Sequence, residues 1–334
     1  MAIRRTWVQL FPSKPTLTSA KLPPQSDKVV IVTGSTSGIG LELSRILYNA
    51  GATVYMAARD EATAKAAIEH ITASKVKPST VGKLVFLHVD LSDLRTIKPF
   101  VEAFLALESR LDILFNNAGC ARVPLSQRTA QGLEPHLGIN CAGPYLLTQL
   151  LAPTLVSTAK SLVTTPNSVR VIWSSSMIVD AYAPKYGIRS SDIEDPSSDV
   201  NFNYALSKTG NWFLASQLAK QLGGQGVVSI TQNPGIIATP TYDTMPRIFA
   251  WIFRPFRYPP STGVNILLWA GFDESVTVED GGKYALPFGR WHPYPRKDLL
   301  EAMEDKGEEE ETNTGRGNAK AFEEWCDRVT REYR

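Results

Sequence analysis

Lys-Val-Val-Ile-Val-Thr-Gly-Ser-Thr-Ser-Gly-Ile-Gly, residues 28–40, is a short apolar run that turns on glycines. Its first part, Val29–Val32, is apolar and β-branched, which is typical of a strand buried on both faces. Gly38 then opens a pattern of apolar residues on one face, which predicts a helix. Such a turn points backbone N–H groups and a positive helix end at one place, which indicates an anion site. A plain connecting turn is the alternative, because the spacing Gly-x-x-x-Gly-x-Gly is a weak signal by itself.

Strand and helix patterns alternate through the rest of the chain. Further short apolar strands are predicted at 53–57, 84–89, 112–115, 169–173, 227–231 and 282–286, with helical patterns between most of them. This alternation predicts an α/β fold with a doubly wound parallel sheet of about seven strands and helices on both faces. A long helix is expected at 132–157, kinked or shortened by Pro144 and Pro153, and a long irregular loop at 175–199.

Composition excludes several classes of function. The chain has 334 residues, 43% hydrophobic and 20% charged, with a net charge of +2, so we expect no nucleic-acid partner. Its three cysteines form no Cys-x-x-Cys pair and are odd in number, which favours a reducing, cytoplasmic location. Neither they nor the four histidines cluster, so no metal is expected.

Three regions are expected along the chain. Residues 1–27 mix apolar residues with prolines, which suggests an extended N-terminal arm on the domain surface, or else a disordered leader. This region lacks an apolar run long enough for a signal peptide or a membrane span. Residues 28–287 are expected to form the single α/β domain, including an irregular segment at 236–260, and residues 288–334 a helical tail with an acidic run at 308–311.

Residues at the ends of the predicted strands match a known family. They are Thr33-Gly-Ser-Thr-Ser-Gly-Ile-Gly40, Asp90, Asn116-Asn-Ala-Gly119, Asn140, Ser176, Tyr204-Ala-Leu-Ser-Lys208 and Pro234-Gly-Ile-Ile-Ala-Thr239. In this order they make a specific signal, and the chain resembles the short-chain dehydrogenase/reductases over roughly residues 28–287. Within that family it is most similar to the retinol-dehydrogenase-like branch, especially filamentous-fungal members with a Trp-x-Gln-Leu-Phe-Pro leader. The resemblance implies a single Rossmann-type domain that binds a nicotinamide dinucleotide.

Tyr204 and Lys208 have a physical reason for their spacing. Four residues apart on a helix, they share a face. A free phenol has a pKa near ~10, and a neighbouring ammonium lowers it by favouring the phenolate. The pair is therefore a candidate acid/base, although an exposed tyrosine and lysine on an amphipathic helix show the same spacing.

The resemblance assigns two further catalytic positions. Ser176 is expected to hydrogen-bond the substrate oxygen, with Ser175 as the alternative, because the strand end reads Ser174-Ser175-Ser176. Ser176 precedes Tyr204 by 28 positions, as in the retinol-dehydrogenase-like branch, so the intervening loop must fold aside. Asn140 resembles the asparagine that holds a water beside the lysine, but a helix-interior amide satisfied by a backbone carbonyl is a rival interpretation.

The resemblance also implies which residues hold the dinucleotide. The glycine turn would cradle the diphosphate, Asp90 would meet the adenine, and the turn at 116–119 would flank the adenosine. Thr239, at the end of the Pro234-Gly-Ile-Ile-Ala-Thr239 match, would bind the nicotinamide carboxamide. The full expected set is Gly34, Ser35, Ser37, Gly38, Ile39, Gly40, Arg59, Asp90, Asn117, Ala118, Gly119, Asn140, Tyr204, Lys208, Pro234, Gly235, Ile237 and Thr239.

The end of the second strand favours NADP over NAD. NAD enzymes place a carboxylate there for the ribose hydroxyls, and this chain has Ala58 followed by Arg59. A guanidinium matches phosphate geometry, so we expect Arg59 to bind the 2′-phosphate, unless it is only a solvated surface charge.

These patterns together predict an NADP-dependent oxidoreductase that interconverts a carbonyl and an alcohol on a small, apolar substrate. A non-catalytic NADP(H)-binding sensor or scaffold, and an epimerase or dehydratase on the same fold, are the alternatives. The aromatic, cation-flanked segment 248–258 suits either a pocket wall, which we favour, or a membrane surface. The helices at 132–157 and around Tyr204 resemble the family's dimer faces, so a homodimer is possible unless the tail covers them.

Overall fold

Alternate residues of the first strand, β1 (Val29–Thr33), pack into two different cores. Val29 and Ile31 belong to one buried cluster, and Val30 and Val32 to the other. Side chains alternate between the faces of a strand, so a strand covered on both sides must be apolar at nearly every position. The apolar run that opens the sequence is therefore the centre of a three-layer structure.

The computed structural model describes residues 2–73, 81–161, 163–238, 254–306 and 315–334. Three sequence-based predictions lie outside these ranges: the role of Thr239, the aromatic residues at 248–253, and the acidic run at 308–311.

The described strands form one eight-stranded sheet in the order β3-β2-β1-β4-β5-β6-β7-β8. The strands after β1 are β2 (Thr53–Ala58), β3 (Lys83–His88), β4 (Ile113–Asn116), β5 (Val169–Ser174), β6 (Val227–Gln232), β7 (Tyr284–Leu286) and β8 (Arg290–Trp291). Seven strands are parallel and β8 is antiparallel to β7. The predicted doubly wound parallel sheet is confirmed, with one further strand too short for its pattern to show in the sequence.

Helices follow most strands. They are α1 (Ala2–Leu10), α2 (Gly38–Asn49), α3 (Glu61–Thr72), α4 (Ile97–Leu105), α5 (Pro135–Leu137), α6 (Gly143–Lys160), α7 (Ile178–Tyr182), α8 (Ser190–Glu194), α9 (Val200–Leu222), α10 (Pro260–Gly263), α11 (Asn265–Phe272), α12 (Lys297–Met303) and α13 (Asn318–Thr330). Within the described ranges, no helix is both long and apolar enough to cross a membrane.

The helices are divided between the two faces of the sheet. Residues of α2, α3 and α11 pack with Val30 and Val32, whereas residues of α4, α6 and α9 pack with Val29 and Ile31. Because β2 and β4 lie on opposite sides of β1, successive crossovers run in opposite directions from this strand. That reversal opens a crevice at the carboxyl ends of β1 and β4, the usual ligand position in such sheets.

The N-terminal segment differs from our expectation. We expected an extended arm or a disordered leader, but Ala2–Leu10 is helical. The prolines that suggested extended chain begin only at Pro12, so the helix ends before them. Val8 packs against the core on the α6 side, and Phe11 meets Phe256 edge-to-face at 5.6 Å.

The long helix expected at 132–157 is also different. It begins at Pro135, passes through a π-helical turn at Gly138–Ala142, and continues as α6 to Lys160. Pro144 lies in the first turn of α6, and Pro153 does not end the helix. The loop expected at 175–199 contains the two short helices α7 and α8.

The C-terminal tail returns to the core. Phe322 of α13 is buried against α9. Its ring packs so closely on Gly210 that a Cβ added to this glycine would lie 2.6 Å from the ring. Tyr145 of α6 donates a hydrogen bond to Asp327 of α13 at 3.4 Å. The tail therefore covers part of the α6 and α9 surfaces on which the homodimer expectation depends.

A buried carboxylate fastens the amino ends of the central strands. Asp112, fully buried before β4, accepts a hydrogen bond from the N–H of Val29 at 3.0 Å. Lys28 lies 3.2 Å from its Oδ1, and Arg110 contacts both carboxylate oxygens, at 2.6 and 3.0 Å. The Asp112 carboxylate thus pairs with two cationic side chains and accepts from a backbone N–H at the start of β1.

We expect Asp112→Ala to lower the free energy of unfolding by about 2–4 kcal/mol, because it leaves these donors without their acceptor. Urea denaturation measures the change. The matched control is Glu61→Ala, which breaks the exposed Lys65–Glu61 pair and is expected to leave the midpoint unchanged. An equal shift in both variants would contradict the role given to Asp112.

Candidate active site

The turn after β1 is shaped by close backbone approach. Gly34 has a φ of +65°, and a Cβ on Gly40 would lie 2.3 Å from the carbonyl oxygen of Gly34. Only glycine fits at position 40, so the start of α2 can approach the strand end closely. Ser37 precedes the helix with extended backbone, and the first N–H groups of α2 therefore point into the crevice.

Thr33 ties this turn to the one after β4. Its Oγ1 donates to the carbonyl of Phe115 at 3.1 Å and accepts from the N–H groups of Asn117 and Ala118 at 3.0 and 2.9 Å. The side chain of Asn117 donates back to the carbonyl of Thr33 at 2.9 Å. These four bonds fix the two turns as one rigid edge of the crevice.

A cavity of about 500 Å³ occupies the crevice at the carboxyl ends of the strands. Most of the residues predicted from the sequence line it: Gly34, Ser37, Gly38, Ile39, Gly40, Arg59, Asp90, Asn117, Ala118, Gly119, Ser176, Tyr204, Lys208, Pro234, Gly235 and Ile237. Segments far apart in the sequence therefore meet around one volume.

Two predicted residues do not line the cavity. Ser35 is fully buried, and its hydroxyl has no hydrogen-bond partner among the described residues; Thr36 lines the cavity instead. Asn140 lies behind the wall, 1% exposed. The sequence pattern identifies the turn but not which side chain of the turn faces the cavity.

Tyr204 and Lys208 lie one turn apart on α9, with the Lys208 Nζ 5.7 Å from the centre of the phenol ring. Lys208 is 5% exposed and donates to the carbonyl of Ser174 at 3.0 Å. Burial lowers the pKa of Lys208 below its ordinary value, because an ammonium loses hydration there. The shared face that the spacing predicts is present, and it lines the cavity.

The three serines at the end of β5 are used differently. Ser174 accepts from the side chain of Gln232 at 2.7 Å, and Ser175 donates to the carbonyl of Lys208 at 2.8 Å. Ser176 is less buried, and among the described residues its hydroxyl is engaged only by a long 3.4 Å bond from the N–H of Ile178. This arrangement favours Ser176 over Ser175 as the hydroxyl that meets a ligand.

Asn140 lies in the π-helical turn that precedes α6. Its Oδ1 accepts from the N–H of Cys120 at 2.8 Å, and its Nδ2 donates to the carbonyl of Cys120 at 3.0 Å and to Ser207 at 2.9 Å. A Cβ on Gly119 would lie 3.0 Å from Lys208 Nζ and 3.1 Å from Asn140 Oδ1. These bonds include the backbone carbonyl that the rival interpretation expects, and Asn140 and Lys208 also flank the same glycine, as the proton-relay interpretation requires.

Several residues around the cavity carry no sequence signal that we used. Cys120 lines it, and burial raises the pKa of this thiol to about 12. Behind it, buried His136 contacts Glu134 at 2.6 Å and accepts from the N–H of Val123 at 3.2 Å, and its ring lies 6.1 Å from that of Tyr204. The sequence signal that could have identified this buried pair is the Glu-x-His spacing at the start of a helix.

Arg59 is exposed at the rim, directly after buried Ala58 at the end of β2. Searched over the described ranges, the chain brings together no group of three or more histidine, cysteine, aspartate or glutamate side chains that suits a metal ion.

This crevice in a doubly wound α/β sheet, with a glycine turn on one side and a Tyr-Lys pair on the other, defines a class of dinucleotide-dependent oxidoreductase. A sequence model of the short chain dehydrogenase family matches residues 28–183. The chain belongs to the short-chain dehydrogenase/reductase family.

Relatives confirm the resemblance in more detail. The chain is 40% identical to the short-chain dehydrogenase/reductase iacJ of Pestalotiopsis fici, over 98% of each sequence. It is 33% identical to retinol dehydrogenase 12 of Mus musculus, over 76% of each sequence. The similarity to fungal members and to a retinol dehydrogenase agrees with the branch that the motifs indicated.

Solved structures share the fold. An uncharacterized protein from Mycobacterium paratuberculosis has a TM-score of 0.67 at 25% identity, covering 94% of this chain and 97% of that one. Pseudomonas aeruginosa RhlG in an active-site complex with NADP has a TM-score of 0.61 at 22% identity, covering 80% and 96%. A 3-oxoacyl-[acyl-carrier protein] reductase from Brucella melitensis with bound NAD has a TM-score of 0.60 at 20% identity, covering 82% and 95%.

We expect Ser176→Ala to lower kcat by about a hundredfold and Ser175→Ala by less than about tenfold. The Ser175 hydroxyl already bonds the Lys208 carbonyl, so of the two serines only Ser176 can bond a substrate oxygen on which negative charge develops. Steady-state kinetics of both variants on one carbonyl substrate measures the ranking. Each variant is the control for the other, and the opposite order would transfer the role to Ser175.

Proposed function

We propose that the protein is an NADP-dependent oxidoreductase that interconverts a carbonyl and an alcohol on a small, apolar substrate. The observation that carries this proposal is the Tyr204–Lys208 pair on the wall of the cavity, beside Ser176. A phenol, a buried ammonium and a hydroxyl at one place are what proton transfer to a substrate oxygen requires.

The residues present fit a nicotinamide dinucleotide. The close approach at Gly40 and the N–H groups at the start of α2 suit a diphosphate, and Gly119 leaves room beside Lys208. Asp90 would hold the adenine, Asn117–Gly119 would flank the adenosine, and Pro234–Ile237 with Thr239 would hold the nicotinamide carboxamide. When bound, the dinucleotide supplies or accepts the hydride.

The chain itself orients the substrate and moves the proton. In the reductive direction Ser176 hydrogen-bonds the carbonyl oxygen, and Tyr204 Oη gives its proton to that oxygen as negative charge develops on it. Lys208 stabilises the phenolate that remains. Within the described ranges Lys208 pairs with no carboxylate; its ammonium bonds the Ser174 carbonyl and lies 5.7 Å from the centre of the phenol ring, where a positive charge favours the phenolate.

Arg59 supports the choice of NADP. Its guanidinium lies at the rim of the cavity beyond Ala58, where a carboxylate would select NAD. The apolar character of the substrate is supported by Met177, Ile178 and Ile236, which line the cavity near Ser176. A screen of aliphatic and aromatic aldehydes and ketones for NADPH oxidation tests the whole proposal.

We expect Tyr204→Phe to lower kcat by about 10²- to 10⁴-fold while the affinity for NADPH stays nearly unchanged, because it removes the proton donor and leaves the diphosphate cradle intact. Kinetics and fluorescence titration measure the two quantities. Tyr182→Phe is the matched control, since the Tyr182 hydroxyl bonds Asp199 and lies outside the cavity. Residual activity within tenfold of wild type would refute the assignment of Tyr204 and favour a binding protein.

We expect Arg59→Ala to weaken NADPH binding by about ten- to a hundredfold and to leave NADH binding almost unchanged, because a charge-assisted contact to phosphate is worth roughly 1.5–3 kcal/mol. Higher ionic strength should narrow the preference for NADPH, since an exposed guanidinium is screened by salt. Fluorescence titration with both dinucleotides measures this.

The matched control is Arg128→Ala, which removes an exposed arginine that does not line the cavity. If wild type binds NADPH and NADH equally, or if Arg59→Ala weakens both alike, Arg59 is a surface charge and the NADP assignment is wrong.

A further inference from the structure

Helix α1 presents one polar side chain to the interior of the protein. Among the α1 residues whose side chains are described, Gln9 alone is buried, at 5% exposure. Its Nε2 donates to Asp180 Oδ2 at 2.6 Å, and its Oε1 accepts from Asn233 Nδ2 at 2.7 Å. An amide buried with both ends bonded is held in one position, because a lost bond there leaves an unsatisfied polar group.

The two partners of Gln9 belong to segments that line the cavity. Asp180 lies in α7, four residues after Ser176. Asn233 directly precedes Pro234, and its Oδ1 accepts from the N–H of Gly235 at 2.9 Å. The carboxamide of Gln9 therefore connects the segment of the candidate catalytic serine with the segment expected to hold the nicotinamide.

The directions of these hydrogen bonds are mutually consistent. An ionised Asp180 can only accept, which orients the Gln9 amide and in turn the Asn233 amide. His292 Nδ1 accepts from the N–H of Tyr294 at 3.1 Å, so its Nε2 carries the proton and donates to Asp180 Oδ2 at 2.7 Å. A neutral imidazole satisfies this arrangement. Each of these bonds pairs a donor with an acceptor, so the chain from Gly235 to Asp180 has one consistent direction.

Tyr284, which lies beside His292, makes a second contact with the backbone of Ser176. Tyr284, 4% exposed, donates to the carbonyl of Ser176 at 2.8 Å, and its ring lies 6.0 Å from that of His292. The backbone around Ser176 is thus held from β7 as well as through α7.

We propose that Gln9 is a positioning residue for the oxidoreductase reaction: it sets the placement of the Ser176 segment against the Pro234–Ile237 segment. The proposal rests on the proposed function, because it assigns those two segments to substrate and cofactor. The N-terminal helix is then part of the active-site support rather than a surface attachment. Small displacements of positioning groups reduce turnover strongly, because reacting atoms must lie within a narrow range of distances.

The breaking variant is Gln9→Leu in the full chain, which keeps similar volume and removes both hydrogen bonds. We expect kcat to fall by about tenfold or more, with a smaller change in KM. We also expect faster amide hydrogen exchange in peptides covering 176–182 and 233–237, measured without cofactor or substrate. The matched control is Arg5→Ala, which removes a bond between α1 and the carbonyl of Tyr294 and does not touch the Gln9 chain.

A second variant, Gln9→Glu, tests the direction of the bonds. A protonated carboxyl group there can donate to Asp180 and accept from Asn233, as the amide does, and an ionised one repels Asp180. The titratable groups facing this position are Asp180 and His292, and the charged Arg290 donates to the carbonyl of Val8 on α1. Burial and the neighbouring carboxylate favour the protonated form, so exchange should match that of wild type at acidic pH and, compared with wild type at the same pH, become faster at higher pH.

Faster exchange in Gln9→Leu that is confined to the two named segments, together with loss of kcat, supports the proposal. Unchanged exchange in both segments, equal loosening in Arg5→Ala, or a kcat within twofold of wild type overturns it. If the wild-type protein reduces no carbonyl compound, the proposed function fails, and the exchange measurement still decides whether Gln9 orders these segments.

Discussion

One carbonyl oxygen determines how the two halves of the candidate site meet. The Ser174 carbonyl, at the end of β5, accepts from Lys208 Nζ at 3.0 Å and from Asn211 Nδ2 at 2.8 Å. Both donors lie on α9, so the helix that carries Tyr204 is fixed to the strand that delivers Ser176. Ser175 strengthens the same junction through its bond to the Lys208 carbonyl. This junction therefore contributes directly to the separation between the tyrosine and the serine.

The same junction keeps the Lys208 ammonium buried against a carbonyl oxygen. Within the described ranges this ammonium pairs with no carboxylate, and a cation that is not neutralised favours the ionised form of acidic groups near it. The nearest such group on its helix face is the phenol of Tyr204. The fold therefore combines a backbone contact with an unneutralised charge on the wall of the cavity, which is what the proposed proton transfer requires.

The sequence predicts features set by local patterns. The apolar run at 29–32, the glycine turn and the four-residue spacing of Tyr204 and Lys208 predict the sheet, the crevice and their shared face, because strand alternation and helix periodicity determine them. Contacts between distant segments are different. Gln9 lies 171 positions from Asp180 and 224 from Asn233, and no local pattern encodes such pairing. The helical start of the chain was missed for another reason, because the prolines from Pro12 onward suggested extended chain for the whole segment.

Cys120 has a consequence for the compounds this cavity can handle. A site that binds carbonyl compounds concentrates electrophiles, including unsaturated aldehydes that alkylate thiolates. With a pKa raised to about 12, Cys120 keeps its proton at neutral pH, and a protonated thiol is a poor nucleophile. Its backbone is also held on both sides by Asn140. If the protein acts on carbonyl compounds as proposed, this wall of the cavity resists alkylation by them, because so little thiolate is present to react.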